Sequence, residues 1–141
     1  MVARFNEMKI MSYPKQIQLS HSNVWMREDG IVVIEFGDHV DLDVKEAREL
    51  LQATKELAGS KKVLIVNVAG KQTTATSAAR DFAASPEAVE YTLAEAYVVN
   101  NLPQKIIANF YINFHKPLVP TKIFNNTEAA IVWLKSLELK A

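Results

Sequence analysis

Apolar and polar positions alternate in the first third of the chain in the manner of two short β-strands. Apolar and β-branched residues are concentrated at about 24–28 and 31–36, on either side of Asp29-Gly30. Glycine adopts positive φ without steric cost, so Asp-Gly between two such runs is a strong turn signal. The pattern predicts a β-hairpin.

A helical period follows the hairpin. Asp43 and Glu46 have the spacing of a capping box, with Asp in the role usually taken by Ser or Thr. Apolar residues then recur every three or four positions, and Gly59 suits the residue just after a helix. We expect a helix over about 43–58.

Residues 62–68 form a nearly continuous apolar, β-branched run, which is typical of a strand buried on both faces of a parallel sheet. A polar loop follows at 69–77. A short helix is predicted at about 78–84, and Ser85-Pro86 resembles a second helix start because proline is tolerated at the first helical position. A further strand is predicted at about 94–100.

A wide apolar stripe marks the next helix. Leu102, Ile106, Phe110 and Phe114 lie four residues apart on one face of a predicted helix over about 102–115. Such a stripe is usually core, so we expect it to pack on the sheet. The alternative is that it forms one side of a groove for an apolar ligand.

The C-terminal part completes the alternation of strands and helices. A short strand is expected at 121–124, and Asn125 with Glu128 marks the start of a last helix. Four residues of that helix are expected to face inward: Ala130, Trp133, Leu134 and Leu137. Strands alternating with helices indicate an α/β fold with a mostly parallel sheet and right-handed crossovers.

Composition narrows the classes of function. The chain has 141 residues, as many basic as acidic side chains, and no cysteine. One domain is expected at this length. Zero net charge argues against non-specific binding to nucleic acid, and the lack of cysteine removes thiol and disulfide chemistry. No apolar run is long enough for a transmembrane helix, and residues 1–11 do not resemble a signal peptide, so a cytoplasmic location is expected.

Several short motifs occur in order between about residues 20 and 138. They are Ala79-Arg80, Asn109-Phe110, Pro120-Thr121, Ile123-Phe124, Ala130 and Trp133-Leu134. These motifs resemble those of the SpoIIAA-like superfamily, which includes the STAS domains of anti-sigma-factor antagonists, and the resemblance is strongest to an uncharacterised bacterial branch. The resemblance implies a βα superhelix: an N-terminal hairpin, a sheet of about five strands, and helices mainly on one face. Residues 1–19 would be a partly disordered extension and residues 20–141 a single STAS-like domain.

The other face of such a sheet needs its own cover, because the apolar run at 63–66 is dry on both sides. The N-terminal segment around Ile17 and Leu19 is one candidate for this cover. A second subunit is the other candidate, and it is our reason for expecting a homodimer.

The loop after the third predicted strand is the candidate site. In anti-sigma-factor antagonists the matching turn carries a phosphorylated serine within an Asp-Ser-Ser-Gly-type motif, which this chain lacks. Hydroxyls and two cations are nevertheless concentrated near a helix N-terminus, where free N–H groups favour an anion. The candidate residues are Lys71, Thr73, Thr74, Thr76, Ser77 and Arg80. The simpler alternatives are that Thr76 or Ser77 only caps the helix and that Arg80 is structural.

Other chemistries find less support. A phosphate-binding P-loop would need a glycine where Ile65 stands and a hydroxyl where Gln72 stands. The three histidines, His21, His39 and His115, lack metal-ligand spacing, and no nucleophile motif is present. We therefore expect a non-enzymatic regulatory or binding module, without metal or cofactor, that recognises a protein partner or a small anionic ligand through the 70–80 loop. The alternative is a carrier of a lipid or other apolar ligand beside the 102–115 helix.

Overall fold

The computed structural model describes residues 15–59 and 61–140. Its strands are β1 (Gln16–Gln18), β2 (Ser22–Met26), β3 (Val32–Phe36), β4 (Asp41–Leu42), β5 (Val63–Val68), β6 (Thr74–Ala75), β7 (Thr92–Val98) and β8 (Thr121–Phe124). Its helices are α1 (Val44–Ala58), α2 (Ser77–Ala83), α3 (Leu102–Phe110) and α4 (Thr127–Lys140). A π-helical turn, Tyr111–His115, continues α3.

Six strands form the main sheet, in the order β1-β2-β3-β5-β7-β8. The pairs β1–β2 and β2–β3 are antiparallel, and β3, β5, β7 and β8 run parallel. The predicted α/β architecture with a mostly parallel sheet is therefore confirmed. The sixth strand is β1, which lies within the predicted N-terminal extension and pairs with β2. The rest of that prediction, on residues 1–14, lies outside the described residues.

The hairpin turns where the sequence places it. Gly30 has a φ of +85°, and Ile31 N donates to Asp29 Oδ1 across the turn. Partial burial opposes ionisation of Asp29. Hydrogen bonds from Arg27, Ile31 and Lys135 outweigh it and lower the pKa of Asp29 to about 2. A charged aspartate thus fixes the turn and ties it to α4 through Lys135.

The capping box of α1 is also as predicted. The Asp43 side chain accepts the N–H of the third helical residue, and the Glu46 carboxylate accepts the Asp43 N–H at 2.9 Å. Gly59 ends the helix with a φ of +59°. Both caps satisfy backbone groups that would otherwise lack partners.

Helices cover both faces of β5. Val63 and Ile65 pack toward α1, whereas Leu64 and Val66 pack toward α4. The face that we expected to need the N-terminal segment or a second subunit is thus covered by the chain's own last helix. Ile17 and Leu19 pack instead on the α1 side. The burial argument for a homodimer is removed, and the homodimer itself stays a prediction.

The second helix predicted at Ser85 does not form. Residues 84–91 are a series of turns, although Ser85 Oγ still lies 3.3 Å from Ala88 N, as an N-cap would. The carbonyl of Tyr91 already accepts from Val63 N where β7 is about to begin. The chain there is too short for a stable helix of its own.

The expectation that the stripe on the 102–115 helix packs on the sheet is wrong. Leu102, Ile106, Phe110 and Phe114 are 69%, 59%, 41% and 70% exposed. The helix spans the predicted residues but turns the opposite face inward, so that residues Gln104, Ile107, Ala108 and Tyr111 face the sheet. This inward face has its own helical spacing, and the Gln104 side chain hydrogen-bonds the Gly70 carbonyl at 2.7 Å.

The last helix has the orientation that the sequence predicts. Ala130 and Leu134 are fully buried, and Trp133 and Leu137 pack beside them. Its cap is Asn126, one residue later than expected, whose Oδ1 accepts from Ala129 N. None of the helices in the described ranges is both long and apolar enough to cross a membrane.

Truncation of Leu134 tests the role of α4 as the cover of the second face. We expect Leu134→Ala to lower the free energy of unfolding by about 2–5 kcal/mol, because it leaves a cavity in a fully buried position. Val132→Ala, on the exposed side of the same helix, should change it by less than about 0.5 kcal/mol. Urea denaturation followed by circular dichroism measures both. Equal losses would contradict this assignment of the core.

Candidate functional site

A cavity of about 210 Å³ lies between the sheet and the three helices α1, α2 and α3. The sheet contributes Ile34 and Ile65 to its wall, and the helices contribute Leu50, Phe82 and Ile107. Most of the wall is apolar, as is usual for sites that bind small molecules.

The cavity exists because small side chains stand where larger ones would fill the core. Ala47 lines it from α1, Ala79 and Ala83 line it from α2, and Ala108 lines it from α3. The methyl side chains of these alanines let the helices lie close to the sheet, and they are too small to fill the space beside them. Interiors are otherwise close-packed, so a space of this size is a specific feature.

Polar side chains from β5 and β7 also line the cavity. Asn67 Nδ2 donates to Glu95 Oε1 at 2.9 Å. Burial raises the pKa of Glu95, although the hydrogen bonds from Asn67 and Tyr97 act against this. Burial also raises the pKa of Tyr97, and the neighbouring Glu95 and Tyr111 add to the shift. The sheet thus contributes a carboxyl group, an amide and a phenol to an otherwise apolar cavity.

Three polar atoms of the lining residues have no hydrogen-bond partner within residues 15–59 and 61–140: Gln104 Oε1, the Tyr111 hydroxyl and Arg80 Nε. Gln104 is 8% exposed and Tyr111 is 5% exposed. A buried polar group without a partner costs about 1–3 kcal/mol. Each of these atoms is itself enclosed by neighbouring protein atoms, so the three unpaired groups add to the free-energy cost of folding.

Arg80 lies between the predicted loop and the cavity. Its Nη1 donates to the carbonyl of Ala75, and its guanidinium sits 5.7 Å from the centre of the Phe110 ring. In the part of the chain that the structure describes, Arg80 forms no ion pair. The carbonyl contact fits the structural alternative, whereas a guanidinium without an ion pair among the described residues keeps a binding role open.

The threonines of the loop are occupied by structural hydrogen bonds. Thr73 Oγ1 donates to the Gly37 carbonyl at 3.0 Å and accepts from Gly70 N at 2.9 Å. Thr74 Oγ1 donates to an Asp41 carboxylate oxygen at 2.7 Å. These bonds fasten the loop to the segment after β3, and β4 and β6 pair in parallel beside them.

Thr76 is the cap of α2. Its hydroxyl accepts from Ala79 N at 3.0 Å and donates to Asp43 Oδ1 at 2.9 Å. Ser77 is exposed and begins the helix. Of the two caps that the sequence left open, the structure selects Thr76.

Lys71 is exposed, and its backbone N–H donates to Asp38 Oδ1 at 2.8 Å. The loop therefore lies against three carboxylates, those of Asp38, Asp41 and Asp43. Their negative charge acts against an anion at this point. Of the predicted site residues, only Thr73, Thr74 and Arg80 line the cavity.

Two of the histidines have structural contacts. His21 Nε2 lies 2.9 Å from Glu49 Oε1, and His115 Nε2 lies 3.3 Å from Asp81 Oδ1 on α2. Within residues 15–59 and 61–140, no three histidine or acidic side chains are grouped closely enough to hold a metal.

The polar residues of the cavity were not predicted from the sequence. The signal was present: Asn67 interrupts an apolar strand, and Glu95 and Tyr97 alternate with buried alanines along the next strand. Burying a polar residue on a strand that is covered on both faces costs free energy, and this cost distinguishes the residue from its apolar neighbours. Gln104 and Tyr111 were hidden by the wrong orientation of their helix.

The buried carboxyl group makes stability depend on pH in a defined direction. Burial raises the pKa of Glu95 above 4.5, so the folded chain holds this proton more tightly than the unfolded chain. The contribution of Glu95 to stability therefore falls as pH rises from 4.5 through the folded pKa, and it stays low above it. Glu95→Gln keeps the shape and the acceptor for Asn67 but cannot ionise. We expect its stability relative to the wild type to increase with pH across this window.

Urea denaturation of both proteins at a series of pH values measures this difference. Subtracting the two curves cancels the groups that they share, such as Asp29. A difference that is constant with pH would show that Glu95 titrates alike in the folded and unfolded chains.

Comparison with known proteins places this geometry in a family. The sequence profile of a domain of unknown function, DUF7793, matches residues 24–138. The fold is similar to the crystal structure of an uncharacterized DUF3478-family protein with a SpoIIAA-like fold from Shewanella loihica PV-4. The TM-score is 0.56 at 15% identity, over 85% of this chain and 99% of that one. Comparison with curated proteins gives no match. The expected SpoIIAA-like fold is thus confirmed, and the chain belongs to the DUF7793 family.

Proposed function

We propose that the protein binds a small, largely apolar molecule in the cavity between the sheet and helices α1–α3. The observation that carries the proposal is an apolar space of about 210 Å³ whose lining includes a few polar side chains, among them Asn67, Glu95 and Arg80. Apolar walls provide affinity, and a few polar groups fix the orientation of the ligand.

The volume limits the size of the ligand. An engineered protein cavity of about 150 Å³ accommodates benzene. The present cavity is somewhat larger, which suits a body of about one substituted ring. The proposal is therefore a narrower form of the apolar-carrier alternative that the sequence analysis left open.

Recognition of a protein partner through the loop stays an untested second candidate. Lys71 and Ser77 are exposed there, and the apolar stripe at Leu102, Ile106 and Phe114 lies open on α3. An anionic ligand at the loop has less support, because three aspartates surround the threonine hydroxyls. Cytoplasmic location, bacterial origin and the absence of enzymatic activity also stay predictions.

Toluene is a suitable first probe, because it tests the apolar space without requiring a particular polar group. We expect toluene to shift the NMR signals of Ile107 and Ala108, which line the cavity, and to leave those of the exposed Val132 unchanged. Ala108→Trp should abolish the shifts by filling the space. Asn109→Trp, one residue away on the exposed side of α3, should retain them.

Circular dichroism must show that both tryptophan variants are folded, and Ala108→Leu is a smaller replacement should the indole prove too large. Equal toluene binding by the Ala108 and Asn109 variants would show that the cavity is not the binding site. No binding of toluene at all would overturn the proposal.

A further inference from the structure

We infer that the ligand of this cavity carries a protonated amine, which pairs with the Glu95 carboxylate on the sheet. This inference rests on the proposed function and specifies its ligand class. It follows from the access to Glu95 through the cavity, from the lack of a counter-ion for it among the described residues, and from the polar groups beside it.

The side chain of Glu95 is accessible from the cavity. Glu95 and Tyr97 line the cavity and are only partly buried. Ala94 and Ala96, which alternate with them along β7 and face α4, are 1% and 0% exposed. The accessible surface of Glu95 and Tyr97 therefore lies on the cavity side of the sheet. In this respect they differ from the enclosed polar atoms elsewhere in the lining.

The carboxyl group of Glu95 has polar neighbours but no counter-ion. Its hydrogen bonds come from Asn67 and Tyr97, which are both neutral. Within residues 15–59 and 61–140, no basic side chain forms an ion pair with it. Buried charges are normally paired, because an unpaired charge is costly to remove from water. A cationic ligand supplies the missing charge.

The groups around the carboxylate suit an ammonium ion rather than a metal. Asn67 Nδ2 donates to Glu95 Oε1 and lies 3.5 Å from the Ala96 carbonyl, so the amide nitrogen is directed at protein acceptors. The amide oxygen and the Tyr97 hydroxyl can then accept beside the carboxylate, and an ammonium group has three N–H donors for such oxygens. A metal requires more anionic or imidazole ligands, and the part of the chain that the structure describes groups no three of them.

Arg80 also lines the cavity, but it stands on a different wall from Glu95. Its guanidinium sits 5.7 Å from the centre of the Phe110 ring, which belongs to the exposed stripe of α3, and its Nη1 donates to the Ala75 carbonyl. The positive charge therefore lies toward the outside of the helical layer, whereas Glu95 lies on the sheet. An anion bound at Arg80 is the rival class of ligand, and it would gain nothing from Glu95.

Three compounds that carry different groups on one ring test the charge of the ligand. Benzylamine is a cation at neutral pH, ethylbenzene has a methyl group in place of the ammonium group, and benzoate is an anion. We expect benzylamine to bind at least about tenfold more tightly than benzoate, because it pairs with the carboxylate that benzoate is repelled by. Isothermal titration or NMR titration gives the three dissociation constants.

Two glutamine substitutions connect the preference to Glu95. Glu95→Gln removes the charge at nearly constant shape. It should weaken benzylamine binding at least about tenfold and change ethylbenzene binding less than about twofold, because only the amine loses its partner. Glu90→Gln makes the same change at an exposed position just before β7 and should leave both affinities unchanged. Circular dichroism checks that both variants are folded, and Glu95→Met is the replacement if the glutamine is not tolerated.

The outcomes separate this inference from the function on which it rests. Benzylamine binding that Glu95→Gln leaves unchanged, together with toluene binding that Ala108→Trp abolishes, would overturn the amine inference and leave the cavity function standing. Binding of ethylbenzene without benzylamine would do the same. Tighter binding of benzoate than of benzylamine would show that Arg80 governs the site and would also overturn the amine class. Failure of toluene and of all three compounds to bind would overturn both proposals.

Discussion

The architecture depends on one strand whose two faces must both be shielded from water. All side chains from Val63 to Val66 on β5 are buried, and alternate ones point to opposite sides of the sheet. No single layer of helices can cover such a strand. Helices α1, α2 and α3 lie on one side of the sheet, and the chain then uses α4 to close the other.

The two sides are closed to different degrees. On the α4 side, Ala94 and Ala96 on β7 are small, and Ile131 and Leu134 from the helix fill the space above them. On the other side the small residues are on the helices, and β7 carries a carboxyl group and a phenol instead of aliphatic side chains. On the α4 side, small residues of the sheet face large residues of the helix, and the core is packed. On the other side, alanines of the helices face Glu95 and Tyr97, and a cavity with polar groups remains.

Much of the fold could be predicted from local chemistry. The Asp-Gly turn, the capping box and the continuous apolar strand each indicate one structure, because a single local interaction decides each of them. The last helix was also oriented correctly, since it has one clearly apolar face. The predicted elements that differ from the structure depend on contacts between residues far apart in the chain. Ser85 has a capping geometry, but pairing of the next strand leaves no room for a helix.

The candidate site was predicted only in part, and the reason lies in α3. Its exposed stripe is more apolar than the face that turns inward, so hydrophobic periodicity alone predicts the opposite orientation of the helix. What turns Gln104 inward is a carbonyl on a loop 34 residues earlier in the chain, which no local pattern reveals. The hydrogen bonds of the loop hydroxyls could not be predicted for the same reason. Their partners are carboxylates and a carbonyl from the segment after β3.

The loop at Gly70 touches the segment after β3 through backbone atoms. A methyl group at position 70 would come within 2.5 Å of the Gly37 carbonyl oxygen and 2.6 Å of that of Phe36. The same residue presents its own carbonyl to Gln104, which sets the direction of that amide. An evolving lineage that altered this glycine would separate the two segments and free the glutamine to rotate. The position of α3 relative to this loop is therefore inherited through a residue that has no side chain.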